Sequence, residues 1–129
     1  MPAERDLARM LASIDIEQRP GSFAFVTGEW PGLVASAHAI VEESEGRTYV
    51  VATADARSVG APVEYESAWL TLTVWSSLQS VGLTAAISRA LAAEDIACNV
   101  LAGFHHDHLL VPIARVDDAV RVLRALSSG

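Results

Sequence analysis

The histidines of this sequence are concentrated in one short segment. Three of the four, His105, His106 and His108, lie in GFHHDHLLVP (residues 103–112), with Asp107 among them. Imidazole and carboxylate groups at this spacing can bind a metal ion or act together in acid–base chemistry. The same residues also suit a polar turn between two buried strands.

Geometry favours the turn, although contact with a bound ligand stays open as an alternative. Side chains of adjacent strand residues point to opposite faces, so His106 and His108 could share an ion that His105 could not readily reach. A zinc site usually needs three or four protein ligands, and the sequence has no paired cysteines, no HExxH and no second histidine pair. The nucleophile motif GxSxG is also absent. We therefore predict no metal site and no catalytic residues, and we expect Asp107 to turn the hairpin by bonding a backbone N–H.

A second group of polar residues surrounds Gly82. Three serines precede it, Ser76, Ser77 and Ser80, and a predicted helix begins directly after it. Glycine lets the backbone approach a ligand closely, and the unpaired N–H groups at a helix start attract carboxylates. Asn99, on the next predicted strand, offers amide donors and a carbonyl acceptor. The alternative is structural, with Ser80 as a helix cap, Gly82 in a turn and Asn99 at a sheet edge.

Apolar periodicity predicts the elements that must position these groups. Strands are expected where β-branched and aromatic residues cluster, over residues 22–27, 48–53, 68–75, 96–104 and 109–113. Residues 37–41 are ambiguous and are expected to form a strand or an irregular stretch. Helices are expected where apolar residues recur every three or four positions, over residues 4–13, 54–60, 83–94 and from 116 onward. Within the strand at 68–75, alternation places Trp69 on the face opposite Leu70, and we expect Trp69 in the core.

The order of elements in the second half is β-α-β-β-α. This order matches an α+β, ferredoxin-like βαββαβ architecture that lacks its last strand. Because an unpaired sheet edge needs a partner, we expect the first half of the chain to donate the missing strand.

Composition sets the broad class. The chain has 129 residues, of which 51% are hydrophobic and 19% charged, enough apolar residues to build a core. A net charge of -7 without a basic cluster argues against a nucleic-acid partner. The single Cys98 fits a reducing compartment, and no run of about 20 apolar residues is present to span a membrane. We predict a cytoplasmic protein with no membrane partner.

The stretch from Trp69 to Leu126 resembles the ACT-domain superfamily. The segments that carry the resemblance are SVGLTAAISRALAAEDIACNV, with its loop, helix and second strand, and HDHLLVP as the third strand. The stretch is similar to small bacterial tandem ACT-like proteins, which are similar to the regulatory region of aspartate kinases. The resemblance implies two intertwined ACT-like halves, residues 1–62 and 63–129, with antiparallel sheets and helices on one face. In the first half, the connection after the first strand is too short and too interrupted by Pro and Gly for a full helix.

The resemblance also implies a function. ACT domains commonly hold an amino acid where two of them pack together, so the expected protein is a non-catalytic regulatory module that binds a small molecule. It would need no cofactor and would form a homodimer or a higher homo-oligomer. The predicted ligand-binding residues are Ser76, Ser77, Ser80, Val81, Gly82, Leu83, Asn99 and Val100. The alternative is a structural association module that binds no ligand.

Overall fold

The computed structural model describes residues 6–74 and 81–128. Within them the helices are α1 (Leu7–Ala12), α2 (Thr53–Ser58), α3 (Leu83–Ala93) and α4 (Val116–Ser128). The strands are β1 (Asp15–Gln18), β2 (Phe23–Thr27), β3 (Ala39–Glu43), β4 (Gly46–Ala52), β5 (Glu66–Thr73), β6 (Asn99–Ala102) and β7 (Asp107–Pro112). In this part of the chain, no helix has the length and apolar character needed to cross a membrane.

The chain folds into two compact units that do not follow its order. The contiguous unit is formed by residues 20–68, and the composite unit by residues 1–19 together with residues 69–129. Strand β5 changes unit between Ala68 and Trp69, so its first residues belong to the contiguous unit and the rest to the composite unit.

The contiguous unit is an antiparallel sheet with one short helix. Strand β4 pairs with β3 on one side and with β2 on the other, and β2 also pairs with the start of β5, where Phe23 faces Ser67. Helix α2 packs on β2 and β4. Only a short 3-10 turn, Pro31–Leu33, follows β2, which confirms that this connection holds no full helix. The core consists of Ala24, Val26, Leu33, Tyr49, Val51, Ala56 and Ala61.

The composite unit completes its sheet with a strand from the beginning of the chain. Strand β1 pairs antiparallel with β5, where Ile16 faces Leu72, and β7 lies between β5 and β6. Helices α1, α3 and α4 pack on one another, and α4 also packs on β1 and β7. The order β1-β5-β7-β6 is that of a ferredoxin-like sheet, so the α+β prediction is confirmed. The donated last strand is confirmed as well, and it makes the two halves intertwined.

Strand β1 itself was missed by the sequence patterns. Its sequence is DIEQ, and only Ile16 is buried, with 8% of its surface exposed. Three exposed polar residues around one apolar residue give too weak an alternation to predict a strand. The other elements are present with slightly shifted bounds. Trp69 is buried as predicted. Trp75, which the sequence leaves open as a possible wall of a ligand pocket, lies outside the described residues.

Candidate functional site

Gly82 begins α3 in a conformation that few other residues adopt. Its φ is 95°, in the left-handed region, and its carbonyl accepts the Ala86 N–H at 2.9 Å. A Cβ atom at this position would lie 3.3 Å from Cδ2 of Leu7 on α1. The backbone conformation therefore favours glycine here whether or not a ligand binds, and an added Cβ would also push the Leu7 side chain slightly aside.

The start of α3 presents backbone donors that Gly82 itself cannot cap. The first N–H groups of any α-helix have no acceptor within the helix, and among the described residues no side chain caps them here. Val81 is 82% exposed, whereas Leu83 is only 4% exposed and anchors the helix in the core. The predicted serines before Gly82, Ser76, Ser77 and Ser80, lie outside the described residues.

Asn99 and Val100 lie beyond the other end of α3. This helix has eleven residues and thus a length of about 16 Å. After its last turn, the Ile96 N–H bonds the Leu91 carbonyl at 3.0 Å, and strand β6 then begins at Asn99. Asn99 is exposed and Val100 is half-buried. Within one copy of the chain, Gly82 stands before the first turn of α3 and Asn99 beyond its last.

The predicted histidine turn is a tight hairpin between β6 and β7. Its four residues are Gly103 to His106, and it is closed by the Gly103 N–H, which donates to the His106 carbonyl at 2.9 Å. His105 and His106 are exposed. Asp107 does not form the turn as expected, because it is already the first residue of β7, where burial raises the pKa of its carboxyl.

We expect Gly103→Ala to destabilise this hairpin. The added Cβ would lie 2.9 Å from the His106 carbonyl oxygen and 3.3 Å from Nε2 of His108, so the backbone must shift. Such overpacking costs about 1–3 kcal/mol of unfolding free energy, measurable by urea denaturation. Gly32→Ala is the matched control, because its Cβ would make an ordinary 3.6 Å contact with Val59. Equal urea midpoints for the two variants would contradict the prediction.

His108 belongs to a cluster that the sequence analysis missed. The Trp69 indole N–H points at both the Thr71 hydroxyl oxygen, at 3.2 Å, and Nδ1 of His108, at 3.3 Å. The Thr71 hydroxyl lies 3.0 Å from the same Nδ1. The guanidinium of Arg19 lies 4.1 Å from the centre of the Trp69 ring. We call these four residues the Trp69–His108 cluster.

The charges around this cluster disfavour a protonated His108. Burial is the main cause that lowers its pKa, and the positive charges of Arg19 and His106 lower it further, whereas Asp107 opposes them. In the part of the chain that the structure describes, no three His, Cys, Asp or Glu side chains are placed to hold a metal ion.

Comparisons with known proteins identify the fold. Two family models of the ACT domain match the sequence, one over residues 2–68 and the other over residues 64–125. No curated protein matches the chain significantly. A Vibrio cholerae protein of unknown function, called a possible transport protein, is 32% identical, with 94% of this chain and 95% of that chain covered and a TM-score of 0.84.

Two more distant structures share the fold. The regulatory subunit of aspartate kinase from Thermus flavus is 9% identical, with 88% of this chain and 96% of that chain covered and a TM-score of 0.57. The aspartate kinase of Clostridium acetobutylicum is 11% identical, with 88% of this chain and 34% of that chain covered and a TM-score of 0.61.

The two ACT matches follow one another along the chain. One of them covers more than half of the chain, and the Vibrio cholerae protein matches over nearly its whole length. ACT domains are in general regulatory, ligand-binding modules without catalytic activity of their own. The chain belongs to the ACT-domain family, as a tandem ACT-domain protein.

Proposed function

We propose that this protein is a non-catalytic regulatory module that binds an amino acid between two copies of the chain. The observation that carries the proposal is the start of α3, where the N-cap residue Gly82 has no side chain to cap the first N–H groups and Val81 is exposed. Backbone donors at the positive end of a helix dipole suit a carboxylate. The serines before Gly82 would supply hydroxyls nearby.

The position of Asn99 explains why the proposal needs a second copy. Since Gly82 and Asn99 stand beyond opposite ends of α3, a small ligand could touch both only if they came from different copies. In the proposed site, the carboxylate binds the N–H groups after Gly82 of one copy. The α-ammonium then binds the amide oxygen of Asn99 in the other copy, beside Val100. A homodimer is therefore part of the proposal, and the single Cys98 supports its placement in the cytoplasm.

A thermal-shift screen against the common amino acids tests this function. A ligand present at 100 times its dissociation constant stabilises the native state by about 2.7 kcal/mol, which should raise Tm clearly. With the ligand found, Asn99→Ala should weaken its binding about fivefold, as expected for one lost hydrogen bond worth about 1 kcal/mol. Calorimetry measures this loss, and the exposed amide of Gln18 provides the control variant Gln18→Ala.

Substitution of Gly82 is a poor test, because its left-handed φ and the nearby Leu7 would strain any side chain. Unchanged affinity in Asn99→Ala would place the ligand elsewhere.

The second candidate function is association without a ligand. Strand β6 lies at the end of the strand order of the composite unit, and both of its terminal residues, Asn99 and Ala102, are exposed. An exposed strand edge can pair with a second copy. A stable dimer in sedimentation, together with no thermal shift from any amino acid, would favour this candidate.

A further inference from the structure

The Trp69–His108 cluster lies within the composite unit and contains the residues at which its two segments meet the unit boundary along the chain. The first segment ends at Arg19, and the second begins at Trp69. These two residues are joined twice, because the Arg19 N–H donates to the Trp69 carbonyl at 3.0 Å and the Arg19 guanidinium lies over the indole ring. The interactions that hold Trp69 in place therefore also help to join residues 1–19 to residues 69–129 within the composite unit.

The hydrogen bonds of the cluster require one protonation state of His108. An indole N–H can only donate, so Nδ1 of His108 must carry no proton in order to accept it. The Thr71 hydroxyl can then accept from Trp69 and donate to Nδ1, so that hydrogen bonds connect all three side chains with one another. A proton on Nδ1 would place an imidazolium N–H against the indole N–H, and both groups would then compete for the Thr71 hydroxyl oxygen.

The surrounding charges also mainly favour the neutral form of His108. Arg19, stacked on Trp69, and His106, in the hairpin turn, both oppose a positive charge on His108. Asp107, next to it on β7, favours that charge. Glu17 on β1 lies opposite Thr71 in the sheet register and is exposed to solvent, which screens its carboxylate.

We propose that His108 is a pH-responsive switch: the neutral imidazole holds the Trp69–His108 cluster together, and protonation opens it. In the neutral form, Nε2 carries the proton and Nδ1 accepts from Trp69 and Thr71. On protonation, the indole loses an acceptor and the new charge repels Arg19. The contact between Arg19, which follows β1, and Trp69 on β5 is then weakened.

The direction of the pH effect follows from linkage. The pKa of His108 is lowered in the folded protein, so near and below pH 6.5 the unfolded chain binds a proton that the folded chain does not. The stabilisation by neutral His108 is complete above about pH 6.5 and is lost as the pH falls through the folded pKa. Over that window, the folding equilibrium constant changes by up to about tenfold per pH unit.

Nuclear magnetic resonance of the ¹⁵N-labelled full chain tests the switch directly. At pH 7.5 the ring nitrogens of His108, assigned with the variant His108→Gln, should show a proton on Nε2 and none on Nδ1. We expect His108 to titrate below about pH 6.5, and the Trp69 indole N–H signal to shift with the same midpoint. A proton on Nδ1 at pH 7.5, a higher midpoint, or a Trp69 signal that does not follow the titration would overturn the proposal.

Denaturation as a function of pH provides the second test. Between pH 7.5 and 5, the unfolding midpoint in urea should fall more steeply for the natural protein than for His108→Gln, whose amide does not titrate. His105→Gln, which removes an exposed histidine of the same turn, should keep the steep dependence. Parallel pH profiles for the natural protein and His108→Gln would refute the switch. If His108→Gln does not fold, the resonance titration of the natural protein still decides, with assignment by elimination of the other histidines.

Discussion

Residues 69–129 expressed alone should not fold into a stable monomer. They lack β1, which pairs with β5 along its whole length, and α1, whose Met10 is fully buried. Without β1, the strand β5 has a long unpaired edge beside the buried Leu72, and such edges associate or leave the domain molten. We expect poorly dispersed amide signals, no cooperative melt, and oligomers in sedimentation.

A rearranged chain provides the matched comparison. Residues 69–129 followed by a flexible Gly/Ser linker and residues 1–19 contain every element of the composite unit in a new order. We expect the amides of β1 and β5 to become protected from hydrogen exchange in this chain and not in residues 69–129 alone. The proposed half, residues 63–129, keeps all of β5 but not β1, and it should fail in the same way. A well-folded monomer of residues 69–129 would show that β1 is dispensable.

Tyr49→Ala should come close to unfolding the contiguous unit. Tyr49 is 1% exposed and is the largest fully buried side chain among the described residues, within the core that includes Leu33 and Val51. Removing a buried ring costs about 3–5 kcal/mol, whereas whole domains are stable by only about 5–15 kcal/mol. Urea denaturation, followed by circular dichroism, should show a large fall in midpoint.

Tyr49→Phe separates the ring from its hydroxyl. That hydroxyl accepts the Trp30 backbone N–H at 3.3 Å, so its loss should cost about 1 kcal/mol and leave the core intact. We therefore expect the midpoint of Tyr49→Phe to lie between those of the natural protein and Tyr49→Ala. A loss of less than about 1 kcal/mol for Tyr49→Ala would mean that the core repacks around the gap.

The elements with strong periodicity were predictable from the sequence. Helix α3 buries Leu83, Ile87 and Leu91, and together with Ala86 and Ala90 they show the spacing of three and four residues that is typical of one helix face. The hairpin of β6 and β7 was indicated by two apolar runs around a polar segment, and the absence of a helix after β2 by Pro31 and its neighbouring glycines. In each case the signal lies within a few neighbouring residues.

The remaining features depend on contacts between distant residues. Strand β1 is recognisable only by its partner β5, because DIEQ buries a single side chain. The contact between Thr71 and His108 joins residues 37 positions apart, and nothing near either residue marks it. Of the candidate site, the glycine at 82 was predictable, but its packing against Leu7 and the position of Asn99 beyond the far end of α3 were not.

The division of the chain sets an order of events during protein synthesis. Residues 20–68 form a compact unit that is complete along the chain before residue 69, so we expect this unit to begin folding before the later residues are made. Residues 1–19 emerge before this unit, yet their partners in β5, α3 and α4 are translated after it. At a translation rate of about 5–20 residues per second, residues 1–19 stay without these partners for several seconds. They are therefore made before the contiguous unit but incorporated into the fold after it, and for that interval they are exposed to chaperones and proteases.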